Sequence, residues 1–294
     1  MKTKKPFRII VWILIATSLC IAVFFLYDRG RPAPIPFKRE LYDGVTYRRI
    51  VHLGSQPMIA HIIIIDTKVK DVSFLVTPPD SNGERPLNAR TTSQFLEEFN
   101  VQLAINGDGF DPWWSNSPAD YYPHVGDPVT PLGFSASGGD IYTEGIPDQV
   151  GVEPTLYINR KNDLSFNKQP DNVFQAISGD RMIVQQGKIV EELDNVDLDP
   201  RSAIGLNKNG RYVILVVVDG RQPFYSEGAT FVQLAQLMID QGANVAMALD
   251  GGGSSTLVME GDNGEPVILN SPIDNYIPGR ERPVANHLGI FINP

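Results

Sequence analysis

The sequence predicts an α+β fold: a strand-rich single domain with a mixed sheet and two main packed helices, preceded by one N-terminal transmembrane helix. Three observations predict it. β-Branched apolar segments recur from Val45 onward. Only two segments carry a helical apolar stripe behind a capping box. An apolar run opens the chain behind a lysine-rich start.

In chain order, Lys2, Lys4, Lys5 and Arg8 form a cytoplasmic tail over 1–8, and the run from Ile9 to Leu26, interrupted only by Thr17 and Ser18, reads as an anchor over 9–27. About 18 to 20 apolar residues cross a bilayer as a helix, and positive charge before the run places the N-terminus in the cytoplasm. A cleaved signal peptide is the rival, but no Ala-x-Ala pattern follows. The expectation is a signal anchor: a single-pass membrane protein whose domain is extracytoplasmic, periplasmic or at the cell surface. Residues 28–41, with Arg31-Pro32-Ala33-Pro34-Ile35-Pro36, read as a stiff Pro-rich linker, and 42–294 as the domain. The one cysteine, Cys20, permits no intramolecular disulfide and no cysteine-based metal site.

Within the domain, Thr46–Val51, Ile59–Ile65 and Val72–Val76 read as strands, and Ile62 to Ile65 as one buried on both faces. Thr91-x-x-Gln94 caps the first helix, with Phe95, Leu96 and Phe99 inward. Thr230-x-x-Gln233 caps the second, with Phe231, Leu234, Ala235 and Met238 inward and Gly242 ending it. Asn209-Gly210 and Asn263-Gly264 signal hairpins. Glu260, Asp262 and Glu265 match no calcium-ligand spacing and read as a solvated hairpin. Residues 111–171, rich in Pro, Gly, Asp and Ser, read as loops and short strands walling a cleft; the alternative is two β-rich lobes divided near Asp171.

The net charge of −9 argues against a nucleic-acid partner. His52, His61, His124 and His287 show no zinc spacing. Chemistry is expected where apolar strands run into polar residues at their carboxyl ends, at Asn106, Asp219 and Asp250; as parallel neighbours these would share one pocket. After Asp250, Gly251, Gly252 and Gly253 let a ligand approach the backbone, and Ser254 and Ser255 offer hydroxyls. Arg201, Arg221 and Arg282 are permanently charged candidates for binding phosphate. Arg280 reads as a salt-bridge partner.

Asn106-Gly107, Arg201-Ser202-Ala203-Ile204-Gly205, Val218-Asp219-Gly220-Arg221, Leu249-Asp250-Gly251-Gly252-Gly253-Ser254-Ser255-Thr256 and Glu281-Arg282-Pro283-Val284-Ala285-Asn286 occur here in an order that resembles the phosphodiester glycosidase family. Its best-known members, the "uncovering enzymes", remove N-acetylglucosamine from a phosphodiester on lysosomal mannose. Many bacterial members are labelled exopolysaccharide biosynthesis proteins. The resemblance covers roughly Tyr47 to Phe291. One departure stands out: the family often reads Asn-Gly-Gly-Phe-Phe where this chain has Asn106-Gly107-Asp108-Gly109-Phe110.

The resemblance implies a hydrolase that cleaves a sugar-1-phosphodiester in envelope or exopolysaccharide glycans. Asp250, Asp219 or Glu281 would be the catalytic carboxylate. Asn106, Gly107, Arg201, Arg221, Gly251, Gly252, Gly253, Ser254, Ser255 and Arg282 would bind substrate. No cofactor is required; a divalent cation on Asp108 and Asp111, with Asp250, is the alternative. The implied partners are a glycan or sugar-phosphate substrate and a membrane. A non-catalytic glycan- or phosphate-binding module in exopolysaccharide assembly is the competing class.

Overall fold

The structure, a computed structural model, describes residues 4–32, 34–70, 72–80, 83–145 and 153–292. Its largest sheet has eight strands in the spatial order Phe37–Tyr42, Val45–His52, Met58–Asp66, Tyr212–Val218, Arg201–Leu206, Val245–Ala248, Arg181–Gln185 and Lys188–Ile189. A second sheet stacks Pro266–Ile268, Leu257–Glu260, Leu103–Asn106, His287–Ile292 and Val72–Val76. A third carries Asp140–Glu144, Phe134–Ser137, Gln175–Ser178, Thr155–Ile158 and Leu164–Phe166.

The period of two along the central strands sorts their side chains between two cores. Ile63, Ile65, Leu215 and Val217 pack with Leu103, Ile105, Leu288 and Ile290 of the second sheet. Ile62, Ile214, Val216 and Val218 pack with Leu234, Ala235 and Met238 of the helix Phe231–Asp240. The strand around Ile62 is thus buried on both faces, as its composition predicts. The helix Thr92–Phe99 sets Phe95 and Leu96 against Val101, Ala104 and Val258. Both capping boxes form, on Thr91 with Gln94 and on Thr230 with Gln233. Both expected hairpins close, with Ala203 opposite Val216 and Met259 opposite Val267.

The expected mixed sheet is corrected: every pairing between named strands is antiparallel among the described residues. The helix Phe231–Asp240 does connect two strands of like direction, Tyr212–Val218 and Val245–Ala248. Arg201–Leu206 lies between them and pairs with both, so no parallel ladder forms. The strands flanking Asp171, Leu164–Phe166 and Gln175–Ser178, share one sheet through Thr155–Ile158.

The N-terminal segment is helical. A helix covers Lys4–Gly30, with Ile9, Ile10, Trp12, Ile13 and Leu14 exposed. Yet among the described residues no helix is long and apolar enough to cross a membrane. The side chains at 24, 25 and 27, which would complete the expected span, lie outside the described residues, as do Lys2 and the side chains of Lys4 and Lys5. The expected linker over 28–41 is shorter, because Phe37–Tyr42 is already an edge strand. Arg31 is docked: its guanidinium lies 3.5 Å over the Tyr225 ring and donates to Gln222 Oε1 at 2.6 Å and Ser271 Oγ at 3.1 Å.

His287 links fold to pH. It is fully buried and stacks on Phe95 at 4.8 Å. Burial first, then the Arg90 charge, pulls its pKa down to about 3. Unfolded, the same imidazole takes up a proton near pH ~6.5. Its neutral form therefore supports the fold fully above that pH, and the contribution is lost as pH falls toward about 3. His287→Gln is expected to flatten the decline in stability between neutral pH and pH ~4 by on the order of 3 kcal/mol. Denaturant melts across that range check it; a decline as steep as in the unsubstituted protein contradicts it.

Candidate active site

The antiparallel register builds the site. Arg201, at the start of its strand, pairs with Val218, and Ala203 pairs with Ala248. One strand therefore begins where its two neighbours end, and Arg201, Asp219 and Asp250 gather at one edge. Asn106 arrives at the same edge from the second sheet. Its buried Nδ2 donates to the Asp250 carbonyl at 2.8 Å, while its Oδ1 accepts from Ser202 Oγ at 2.7 Å and from the Thr256 N–H at 3.2 Å. The Asp250 N–H donates to the Gly107 carbonyl at 2.9 Å. Asn106 and Gly107 thus staple the two sheets beneath Asp250 and do not line the cleft.

That cleft encloses about 450 Å³. It is lined by Gly109, Phe110, Trp113, Leu132, Asp180, Asp199, Arg201, Arg221, Leu249, Asp250, Gly251, Gly252, Gly253 and Arg282. The three glycines face the three arginines. A Cβ on Gly251 would lie 3.9 Å from Arg201 Nη1, on Gly252 3.1 Å from Arg221 Nη2, and on Gly253 2.4 Å from Arg282 Nη2. Gly252 also has φ +61, a left-handed conformation that glycine adopts without penalty.

Each guanidinium is gripped from behind. Arg201 lies 3.9 Å over the Phe231 ring and donates to the carbonyls of Ala229 and Asp197. Arg221 Nε donates to Asp199 at 2.7 Å. Arg282 Nε donates to the buried Asp274 at 2.8 Å, and its Nη1 to Ser254 Oγ at 3.3 Å. Arg201 Nη1, both Nη atoms of Arg221 and Arg282 Nη2 make no hydrogen bond among the described residues. Directed donors therefore converge above a bare glycine turn, an arrangement suited to an oxyanion.

Asp250 sits beside them. Its carboxylate accepts from the Gly251 N–H at 2.9 Å and from Ser254 Oγ. Burial pushes its pKa up, opposed by the Ser254 hydrogen bond and the Arg282 charge. A carboxylate so placed can act as a base or steady a developing cation.

The other expected carboxylates are elsewhere. Asp219 is fully buried, accepts from the Ser271 N–H at 2.6 Å and Asn270 Nδ2 at 3.2 Å, and faces His61 Nε2 at 3.1 Å. It does not line the cleft. Glu281 accepts from the Ser93 N–H at 3.0 Å at the N-terminus of the helix Thr92–Phe99, where a negative charge meets unpaired N–H groups. Burial nonetheless raises its pKa. Ser255 is buried behind the turn, and its Oγ has no hydrogen-bond partner among the described residues. Arg280 pairs with Asp274 at 3.2 Å, the salt-bridge role its sequence suggests.

The cation alternative has no common centre. Asp108, 1% exposed, spends its carboxylate on the N–H groups of Gly133 and Gly109, at 2.7 and 2.8 Å. Burial, with Glu153 adding, pushes its pKa well above the carboxylate range. Asp111 is exposed and pairs with Arg85 at 3.3 Å. Among the described residues no group of three His, Cys, Asp or Glu could hold a metal ion.

Sequence reasoning missed Asp180, Asp199 and Trp113. Asp199 carried a signal, standing two residues before Arg201 in Asp199-Pro200-Arg201. Trp113, 49% exposed and 5.0 Å from the Arg282 guanidinium, stands in Asp111-Pro112-Trp113-Trp114 with no motif around it to mark it.

Residues 99–291 match the family model described as phosphodiester glycosidase. The chain is 38% identical over 91 residues to the SPbeta prophage-derived uncharacterized protein YomE of Bacillus subtilis, a match covering 31% of this chain and 12% of that relative. Among solved structures, it is similar to the zebrafish N-acetylglucosamine-1-phosphodiester alpha-N-acetylglucosaminidase catalytic domain auto-inhibited by its pro-peptide. There the TM-score is 0.60 at 23% identity, covering 90% of this chain and 86% of that one. A hypothetical protein from Synechocystis gives a TM-score of 0.59 at 14% identity, covering 89% and 64%. A putative exported protein of Burkholderia pseudomallei gives 0.56 at 14% identity, covering 82% and 75%. At these identities the solved structures establish the shared fold.

Proposed function

The chain belongs to the phosphodiester glycosidase family, and from that premise we propose that it hydrolyses the bond between a sugar's anomeric carbon and the phosphate of a sugar-1-phosphodiester. The observation that carries this reading is the meeting of unengaged guanidinium ends of Arg201, Arg221 and Arg282 with the Asp250 carboxylate across Gly251–Gly253. Phosphate lies against the arginines and the anomeric carbon beside Asp250. The departing phosphomonoester is a weak base, so a strong general acid is less needed than in ordinary glycoside hydrolysis, where two carboxylates divide the work. Asp250 supports the oxocarbenium ion or activates water; Asn106 and Ser254 are positioning residues.

A panel of glycosyl 1-phosphodiesters offered to the purified protein, with free sugar followed, tests the proposal. Release of sugar from at least one member is expected. Binding without turnover across the panel would transfer the cleft to the non-catalytic module. Because burial raises the Asp250 pKa and the reaction needs the ionised form, activity is expected to rise with pH through a limb above the ordinary carboxylate range of about 4. A kcat/KM profile flat down to that range would contradict the assignment.

The reading extends to a single-pass anchor with the domain outside the cytoplasm and a substrate in envelope or exopolysaccharide glycans. The lysine-rich start and the exposed Ile9, Ile13 and Leu14 support the anchor. Fractionation of cells expressing the full chain and a 31–294 form checks it. Recovery of the unprocessed full chain without detergent counts against the anchor.

A further inference from the structure

Charge distinguishes substrate from product in this reaction. A phosphodiester carries one negative charge, whereas a phosphomonoester, with a second pKa near ~6, carries about two at neutral pH. The cleft arginines are not bare charges. Asp199 spans two of them, with Oδ1 2.7 Å from Arg221 Nε and Oδ2 3.8 Å from Arg201 Nη2. Asp274, with a 2% exposed side chain, lies 2.8 Å from Arg282 Nε and 3.2 Å from Arg280 Nε. Asp180 lines the cleft and meets Arg181 at 2.9 Å, and Asp250 lines it too.

On the wall itself three guanidinium groups face three carboxylates. With Arg280, Arg181 and Asp274 included, the surplus is a single positive charge. Asp108, which feels the charge of Glu153, and Glu153 itself only reduce that surplus where they are ionised. The donors are plentiful but the net charge is small.

We infer that Asp199 and Asp274 make the cleft selective by charge: it holds a monoanionic phosphodiester, rejects the dianionic phosphomonoester, and so sheds its own phosphate product. The inference rests on the phosphate placement proposed above. Asp274 is buried and fixed in its pairs. Asp199, whose side chain is 28% exposed on the cleft wall, is the specificity-determining residue that the second charge of a dianion meets. Like charges brought together in a partly desolvated site cost binding, and this penalty sets partner choice.

The test compares glucose 6-phosphate with its methyl diester by calorimetry at about pH 8, where the monoester has lost its second proton. Neither compound has a phosphate on the anomeric carbon, so neither is turned over. The unsubstituted protein is expected to bind the diester at least about tenfold more tightly. Asp199→Asn keeps an oxygen for Arg221 Nε and removes the charge. It is expected to tighten monoester binding about tenfold and diester binding only about threefold, because the same change in potential acts on two charges in the one and on a single charge in the other. Monoester binding as tight as diester binding in the unsubstituted protein overturns the inference, as does a loss of both in Asp199→Asn, which would make Asp199 only a support for Arg221. Binding of neither compound removes the phosphate placement as well. A preserved diester preference without turnover of any glycosyl phosphodiester removes the hydrolase reading alone.

Discussion

Asp250→Asn is expected to lower kcat by about 10²- to 10⁴-fold, the range typical of a positioned acid–base group, while substrate affinity changes little. The replacement keeps the shape of the side chain. One amide oxygen can still accept from the Gly251 N–H or from Ser254 Oγ, the two bonds that orient the carboxylate. What it removes is the negative charge beside the proposed position of the anomeric carbon. The backbone of residue 250 is held independently, through the Gly107 carbonyl and Asn106 Nδ2. The fold is therefore expected to survive, with thermal melting checking that it does. Steady-state kinetics on the best substrate of the panel, with affinity measured separately, decides the matter. Retention of most of the turnover would remove Asp250 from catalysis.

Arg221→Ala is expected to lower kcat/KM by about 10²- to 10³-fold, the loss seen when a directed oxyanion donor is deleted; binding weakens because the phosphate is held in the ground state, and turnover falls because the clamp tightens on the charge the departing phosphate gains. Arg221 is the cleanest of the three arginines to remove. Arg201 also packs on Phe231, and Arg282 neutralises the buried Asp274, so their loss disturbs the fold as well. After Arg221 is lost, Asp199 still has Arg201 at 3.8 Å. Gly253→Ala approaches the same clamp from the other side: its Cβ, 2.4 Å from Arg282 Nη2, forces the guanidinium to move. A comparable loss in kcat/KM is expected, with a lowered melting temperature because the Arg282–Asp274 pair moves with the guanidinium. Wild-type kinetics in both variants would mean that phosphate binds elsewhere.

Much of the architecture was legible because its causes are local. A capping box acts over three residues, and both formed where Thr91-x-x-Gln94 and Thr230-x-x-Gln233 stand. Asn209-Gly210 and Asn263-Gly264 closed the hairpins they signal. Ile62 to Ile65 announced a strand covered on both faces, although the layers that cover it come from distant parts of the chain. The convergence of Arg201, Arg221, Arg282 and the glycine turn was also legible, through the order of motifs that the family carries.

Strands, caps, the turn at Gly251–Gly253 and the kinds of charged group available follow from chain neighbours and side-chain chemistry. Long-range packing settled which of the expected catalytic carboxylates faces the cleft. Asp219 and Asp250 end strands in the same way, but Asp219 is consumed by Ser271, Asn270 and His61, the last 158 residues away. Glu281 is drawn to the helix end at Ser93, and Asp108 to Gly133. Sheet direction was likewise decided in three dimensions, by the strand Arg201–Leu206 entering between two strands of like direction. The physical reason is common to all of them. A carboxylate's role follows from its desolvation and its partners, which long-range packing supplies and no local spacing encodes.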